Sequence, residues 1–162
     1  MQGEVPLDRK AFENVKGQVG YCGLWCGSCI VGNGTLRELT ERYRGLIKGH
    51  GVEDWGLAGH GMDGNAFVNA LIAIENLAIC PGCLKGGGND ECAMRPCARE
   101  KKATDCIECR EKATCRSLTP LERVRTGAAK AGMLMKSERG EPDMVAWVAE
   151  LKAKFPHSML WE

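Results

Sequence analysis

The sequence predicts a mainly α-helical protein with an irregular, cysteine-rich metal-binding lobe, a small α+β fold being the alternative. Three observations carry this expectation. Four cysteine-free segments repeat apolar residues at three- and four-residue steps, the period of one helix face. No run alternates apolar and polar residues over more than a few positions, and no Asn-Gly turn joins two such runs. The ten cysteines of the 162-residue chain gather in two groups, three at 22–29 and seven at 80–115.

The first helix is expected over 35–48, TLRELTERYRGLIK, where Leu36, Leu39, Tyr43, Leu46 and Ile47 share a face. Thr35 and Glu38 have capping-box spacing, and Gly49 supplies a stop. The second spans 65–79, NAFVNALIAIENLAI. Its broader apolar face of Phe67, Val68, Leu71, Ile72, Ile74 and Leu77 predicts burial, with Asp63 or Asn65 as cap. The third starts at TPLE, with Thr119 as cap, Pro120 in the first turn and Glu122 closing a capping box. Leu121, Val124, Ala128, Ala131 and Met135 form its stripe. The fourth starts near Pro142, carries Met144, Trp147, Val148, Leu151 and Phe155, and ends at Pro156. Residues 84–95, with three consecutive glycines, read as a loop.

Composition narrows the function. Cysteine is frequent, but a chain of this length buries roughly 68–70% of its unfolded surface and does not need disulfide staples. The opening MQGEVPLDRKAFENV lacks the apolar core of a secretory signal, and no run is long enough to span a bilayer. The expected place is the cytoplasm, where thiols stay reduced and C-x2-C pairs are metal ligands. The 22 Lys+Arg against 21 Asp+Glu argue against a dedicated nucleic-acid binder and against a polybasic membrane patch.

The metal candidates are all ten cysteines. Cys22, Cys26 and Cys29 stand at C-x3-C-x2-C within YCGLWCGSC, one ligand short of a closed site. CPGC (Cys80, Cys83) and CIEC (Cys106, Cys109) are two C-x2-C units separated by 22 residues, which together suit a four-thiolate zinc site. Cys92, Cys97 and Cys115 complete the second group, and one of them is a candidate to lend the first group its fourth ligand. The count then gives two four-cysteine metals and two spare thiols. Sharing of one metal by Cys80, Cys83, Cys92 and Cys97 is an open alternative. The favoured cofactor is Zn2+, two ions with a structural role, and the alternative is a [4Fe–4S] cluster.

Catalytic readings are weaker. A radical S-adenosylmethionine enzyme needs a barrel of strand–helix units after its three cysteines, but IVGNGT leads straight into a helix. A thioredoxin-type motif opens a helix after a strand, whereas CPGC follows a helix. His50, His60 and His157 fit helix ends and turns, and GNGT lacks the lysine of a phosphate loop. Tyr21 and Trp25 are expected to cover a metal site, Trp147 to be core, and Trp161 to cover the body or meet another chain. No catalytic constellation stands out.

Together YCGLWCGSC, CPGC and CAMRPCAREKKATDCIECREKATCRSL resemble the cysteine-rich domain of unknown function 3795. The shared pattern is a Tyr-Cys-Gly-Leu opening at 21–24, a C-x2-C at 80–83, a C-x4-C with Ala98 at 92–98, and a closing C-x2-C-x5-C at 106–115. Trp25 departs from the small or acidic residue common there, and no cysteine is missing. The resemblance implies a zinc-binding prokaryotic protein and no catalytic residue. The chain 1–162 is thus read as a single domain, with 19–118 the cysteine-rich region and 119–162 a C-terminal helical extension. Its expected function is that of a binding or scaffold module for an unknown protein partner, the alternative being an iron–sulfur or thiol redox protein.

Overall fold

The computed structural model describes residues 17–154 and 156–157. Among these are six α-helices: α1 (Thr35–Gly49), α2 (Val52–Trp55), α3 (Gly64–Glu75), α4 (Met94–Glu100), α5 (Leu118–Lys130) and α6 (Met144–Lys154). Strand pairing among the described residues is confined to isolated bridges, at Val19 with Trp25, Leu24 with Met135, and Ser137 with Gly140. The protein is mainly α, as its periodicity predicts. Phe155, Trp161 and the opening segment through Val15 lie outside the described residues.

The helix starts refine the expected caps. Asp63 caps α3 as anticipated, accepting from the N–H groups of Asn65 (2.9 Å) and Ala66 (3.1 Å). For α1 the oxygen acceptor is Asn33 rather than Thr35: its Oδ1 takes the Thr35 N–H at 3.0 Å while its Nδ2 donates to the Gly27 carbonyl at 3.0 Å. Asn33 is 1% exposed, so this one side chain joins the start of α1 to the first cysteine loop. Helix α5 starts two residues early, at Leu118, with Ser117 rather than Thr119 at the cap position and no side-chain cap bond. Helix α4 was not expected. It lies inside the cysteine-rich segment, and its short length and Pro96 hide it from a periodicity search.

The apolar stripe of α1 is mostly open: Leu39, Tyr43 and Leu46 are exposed, and Ile47 is buried. Thr35, Arg37, Glu38 and Thr40 are buried instead. Helix α1 packs on α3, where Tyr43 meets Phe67 edge-on at 6.4 Å and Arg44 pairs with Glu75 at 2.6 Å. Only Val68 and Leu71 of α3 are buried, and Leu77 is exposed beyond its end at Glu75.

Trp25 is 0% exposed and holds the other half together. Trp147 of α6 stands edge-on to it at 5.1 Å, and the Trp25 backbone N–H donates to the Leu134 carbonyl at 3.0 Å. Trp25 is therefore a core residue, not the expected cover over a metal site, because a large apolar ring gains most where water is fully excluded. The segment after α5 runs beside it. Lys136 N–H donates to the Gly23 carbonyl at 2.7 Å, and Leu134 N–H to Ser28 Oγ at 2.9 Å. Arg125 of α5 reaches the carbonyls of Cys22 (3.0 Å) and Lys136 (2.7 Å). The C-terminal segment thus clamps the first cysteine loop from outside.

Candidate functional site

Each C-x2-C turn has a dedicated buried acceptor. At CPGC it is Gln18, 8% exposed. With its amide oxygen turned toward the knuckle, Gln18 accepts from the N–H groups of Cys83 (3.1 Å) and Leu84 (3.2 Å) and donates to the Pro81 carbonyl (3.2 Å). Gly82 has φ +82°, and a Cβ there would run into the Gln18 amide. Glycine is thus required twice, for its conformation and for the close approach. Two further N–H groups point at sulfur: Tyr21 donates to Cys83 Sγ at 3.4 Å, and Gly88 to Cys80 Sγ at 3.1 Å.

At CIEC the acceptor is Asp105, 3% exposed. Its Oδ1 takes the N–H groups of Ile107 (2.8 Å) and Glu108 (3.0 Å), and its Oδ2 pairs with Lys136 Nζ at 2.9 Å. Lys136 also meets Glu108 (2.7 Å) and Glu141 (3.1 Å). Burial alone would push the Asp105 carboxyl up. The Lys136 ammonium and the two N–H groups outweigh burial and hold the carboxyl below its ordinary range. The three carboxylates in turn raise Lys136. Ser117 N–H donates to Cys115 Sγ at 3.4 Å.

Tyr21 joins the two knuckles through its backbone. Its N–H donates to Cys83 Sγ, and its carbonyl accepts the Cys106 N–H at 2.7 Å. Sequence reading missed Gln18, Asp105 and this backbone role of Tyr21. The signal for Asp105 was present: an Asp directly before a tight turn accepts the turn's N–H groups.

All ten cysteines are free and partly exposed. They line two cavities. Cys97, Cys106, Cys109 and Cys115 surround a small one of about 20 Å³. Cys22, Cys26, Cys29, Cys80, Cys83 and Cys92 surround a larger one of about 420 Å³, which Tyr21 also lines. The two C-x2-C units therefore face different cavities, contrary to the expectation that they act together. CPGC joins the N-terminal motif because Tyr21 and Gln18 bind it there. Of the three candidate lenders, Cys92 lies with the first group, while Cys97 and Cys115 lie with CIEC. Among the described residues, no three of the Cys, His, Asp or Glu side chains already stand as a metal-holding set. No histidine lines either cavity.

Burial pushes the Cys26 thiol up to about 12, with Cys83, Cys22 and Cys80 adding to the effect. Burial likewise raises Cys106 to about 11, beside Cys109 and Cys115, and raises Cys22. Sulfurs in this environment carry negative charge only when a cation shares it, and a metal ion displaces the proton. The donor set is all soft sulfur, with N–H groups on Cys80, Cys83 and Cys115. That chemistry fits zinc or an iron–sulfur centre and does not suit calcium or magnesium, which take oxygen.

The remaining site expectations fall away from these cavities. His60 is exposed in a short turn, Ala58–His60, and His50 is exposed at the end of α1. The His157 carbonyl accepts from Arg42 at 2.8 Å. CPGC leads into a single 3-10 turn, Cys83–Lys85, rather than opening an α-helix. No helix among the described residues is long and apolar enough to cross a membrane.

A family model described as "Protein of unknown function (DUF3795)" matches residues 18–120. No curated protein and no solved structure matches the chain.

Proposed function

This chain belongs to the DUF3795 family, and we propose that it is a zinc-binding protein whose metals are structural and whose role is that of a cytoplasmic binding or scaffold module for a protein partner. The observation that carries the reading is the division of ten free cysteines, with no remainder, into four and six around two neighbouring cavities. Disulfides do not account for such a pattern of free thiols, and a helical core does not need it.

Cys97, Cys106, Cys109 and Cys115 would hold one zinc ion in a closed four-thiolate site, leaving no position for substrate. Lys101 and Lys112 line that cavity, each paired with a carboxylate, Glu111 and Glu138. Bound zinc supplies cross-linking there. Asp105 fixes the C-x2-C turn, and the Ser117 N–H supports Cys115. The six-thiol cavity supplies the second metal centre, and Tyr21 ties it to the first. The nearly equal Lys+Arg and Asp+Glu counts favour a protein partner over nucleic acid or membrane.

An iron–sulfur or thiol redox protein is the second reading. It is favoured only by the apolar surroundings and N–H···S bonds of the larger cavity, which also suit a cluster. The deciding experiment is metal analysis by plasma mass spectrometry on protein purified without oxygen, with a visible spectrum of the same sample. Zinc with no visible absorption is expected. Iron with acid-labile sulfide and a broad visible band would overturn the zinc reading.

A further inference from the structure

We propose that the six-thiol cavity takes two zinc ions that share two bridging cysteine thiolates, so that the chain binds three zinc ions and leaves no thiol unbound. This rests on the metal-binding reading above and goes beyond a simple count of four-cysteine sites.

The first support is steric. A zinc ion bonds four sulfurs, each at about 2.3 Å. Cys22, Cys26, Cys29, Cys80, Cys83 and Cys92 all line one cavity of about 420 Å³, against about 20 Å³ for the four-thiol site. One ion at that distance reaches four of the six and leaves two thiols beside a thiolate centre. An iron–sulfur cluster held by four cysteines leaves the same two idle. Two tetrahedral ions need eight bonds to sulfur. Six thiolates supply eight bonds when two of them bridge.

The second support is the continuity of the sulfurs. A Cβ built on Gly20 lies 2.7 Å from Cys83 Sγ and 3.8 Å from Cys26 Sγ, so both sulfurs approach the same point of the backbone. Cys22, Cys29, Cys80 and Cys92 line the same cavity as Cys26 and Cys83, so the six sulfurs form one group, and the two that approach Gly20 together are the place for the bridging thiolates. The Cys80 N–H donates to the Val31 carbonyl at 3.4 Å, which holds the knuckle against the turn after Cys29.

The third support is charge. Two Zn2+ ions and six thiols give a centre of net charge minus two and six released protons, with no change of oxidation state. Arg95 lines this cavity. Its Nη2 is held by the Gly87 and Asn89 carbonyls, and its Nε–H is buried without a hydrogen-bond partner. A guanidinium fixed in this way balances an anionic centre, although Glu91 on the same wall opposes it in sign.

The deciding measurement uses the wild-type chain. Zinc per chain is measured by native mass spectrometry after anaerobic purification. The protein is then reconstituted with 113Cd alone for cadmium NMR. Three zinc ions are expected, with three cadmium resonances, two of them split by mutual coupling through shared sulfur and one a singlet. Two zinc ions and two uncoupled resonances would overturn the bridged centre and leave the zinc reading intact. Iron with labile sulfide, or no bound metal at all, would overturn both. As a second readout, Cys109→Ser with Cys115→Ser is expected to lose only the singlet, and loss of the coupled pair with the singlet retained would overturn the assignment of thiols to cavities.

Discussion

Replacing Asp105 with alanine removes three interactions at once, and their sizes follow from the structure. The buried Ile107 loses the acceptor for its N–H, and leaving a buried donor unpaired costs about 1–3 kcal/mol. The Glu108 N–H loses the same acceptor, but its residue is exposed and water takes over much of the bond. Lys136 loses its most buried partner. Breaking a buried pair outright costs about 3–5 kcal/mol, yet here Glu108 and Glu141 remain beside the ammonium and reduce the loss. The sum expected for Asp105→Ala is about 3 kcal/mol, since such contributions overlap rather than add. Asp105→Asn keeps an oxygen in the Oδ1 position and surrenders mainly the charge, so about 1–2 kcal/mol is expected.

The assay is urea unfolding followed by circular dichroism, with all three proteins at one buffered free-zinc concentration, because a ligand that binds only the folded state shifts apparent stability. Amide hydrogen exchange at Ile107 and Glu108 gives the local readout: fast in Asp105→Ala, near wild type in Asp105→Asn. An alanine variant within about 0.5 kcal/mol of wild type would refute the capping role. So would an asparagine variant as damaged as the alanine one, since the effect would then be one of charge alone.

Three further outcomes follow from the same contacts. Gly82→Ala forces a Cβ onto a residue at φ +82° and into the Gln18 amide; a loss of about 1–3 kcal/mol is expected, measured by urea unfolding, together with faster reaction of Cys80 and Cys83 toward a thiol reagent. Trp25→Ala empties a fully buried site against Trp147; it should cost about 3–5 kcal/mol and move the remaining tryptophan emission to the red, and an unshifted spectrum would contradict the packing. Removing metal with a strong chelator under reducing, oxygen-free conditions should expose all ten thiols to titration and lower Tm by at least several degrees. A chelated protein that melts with the untreated one would contradict a structural role for metal.

What the sequence makes legible is composition and period. Cysteine spacing marks every candidate ligand, and each of the four apolar repeats meets a helix, although the one expected over 65–79 stops at Glu75 and Met135 of the third stripe lies beyond α5, in a bridge with Leu24. Period does not say which face a neighbour covers. Helix α1 shows this: its apolar stripe is mostly exposed, while Arg37 and Glu38 are buried. A short polar side chain just outside a helix also competes with the expected cap, as Asn33 does at Thr35. The division of cysteines was illegible for a deeper reason. CPGC and CIEC are chemically equivalent as ligand pairs, so nothing within either motif states which other thiols it joins. The choice is made by residues with no metal chemistry of their own. Gln18 and the Tyr21 N–H hold CPGC beside the N-terminal cysteines, and the Tyr21 carbonyl holds Cys106 on its other side. Lys136, far along the chain, then fixes Asp105 beneath CIEC. It follows that the grouping of thiols here is a tertiary property, and that, on the zinc reading proposed above, substitutions at Gln18 or Lys136 should weaken zinc retention in a competition titration with a chelator without touching a single sulfur.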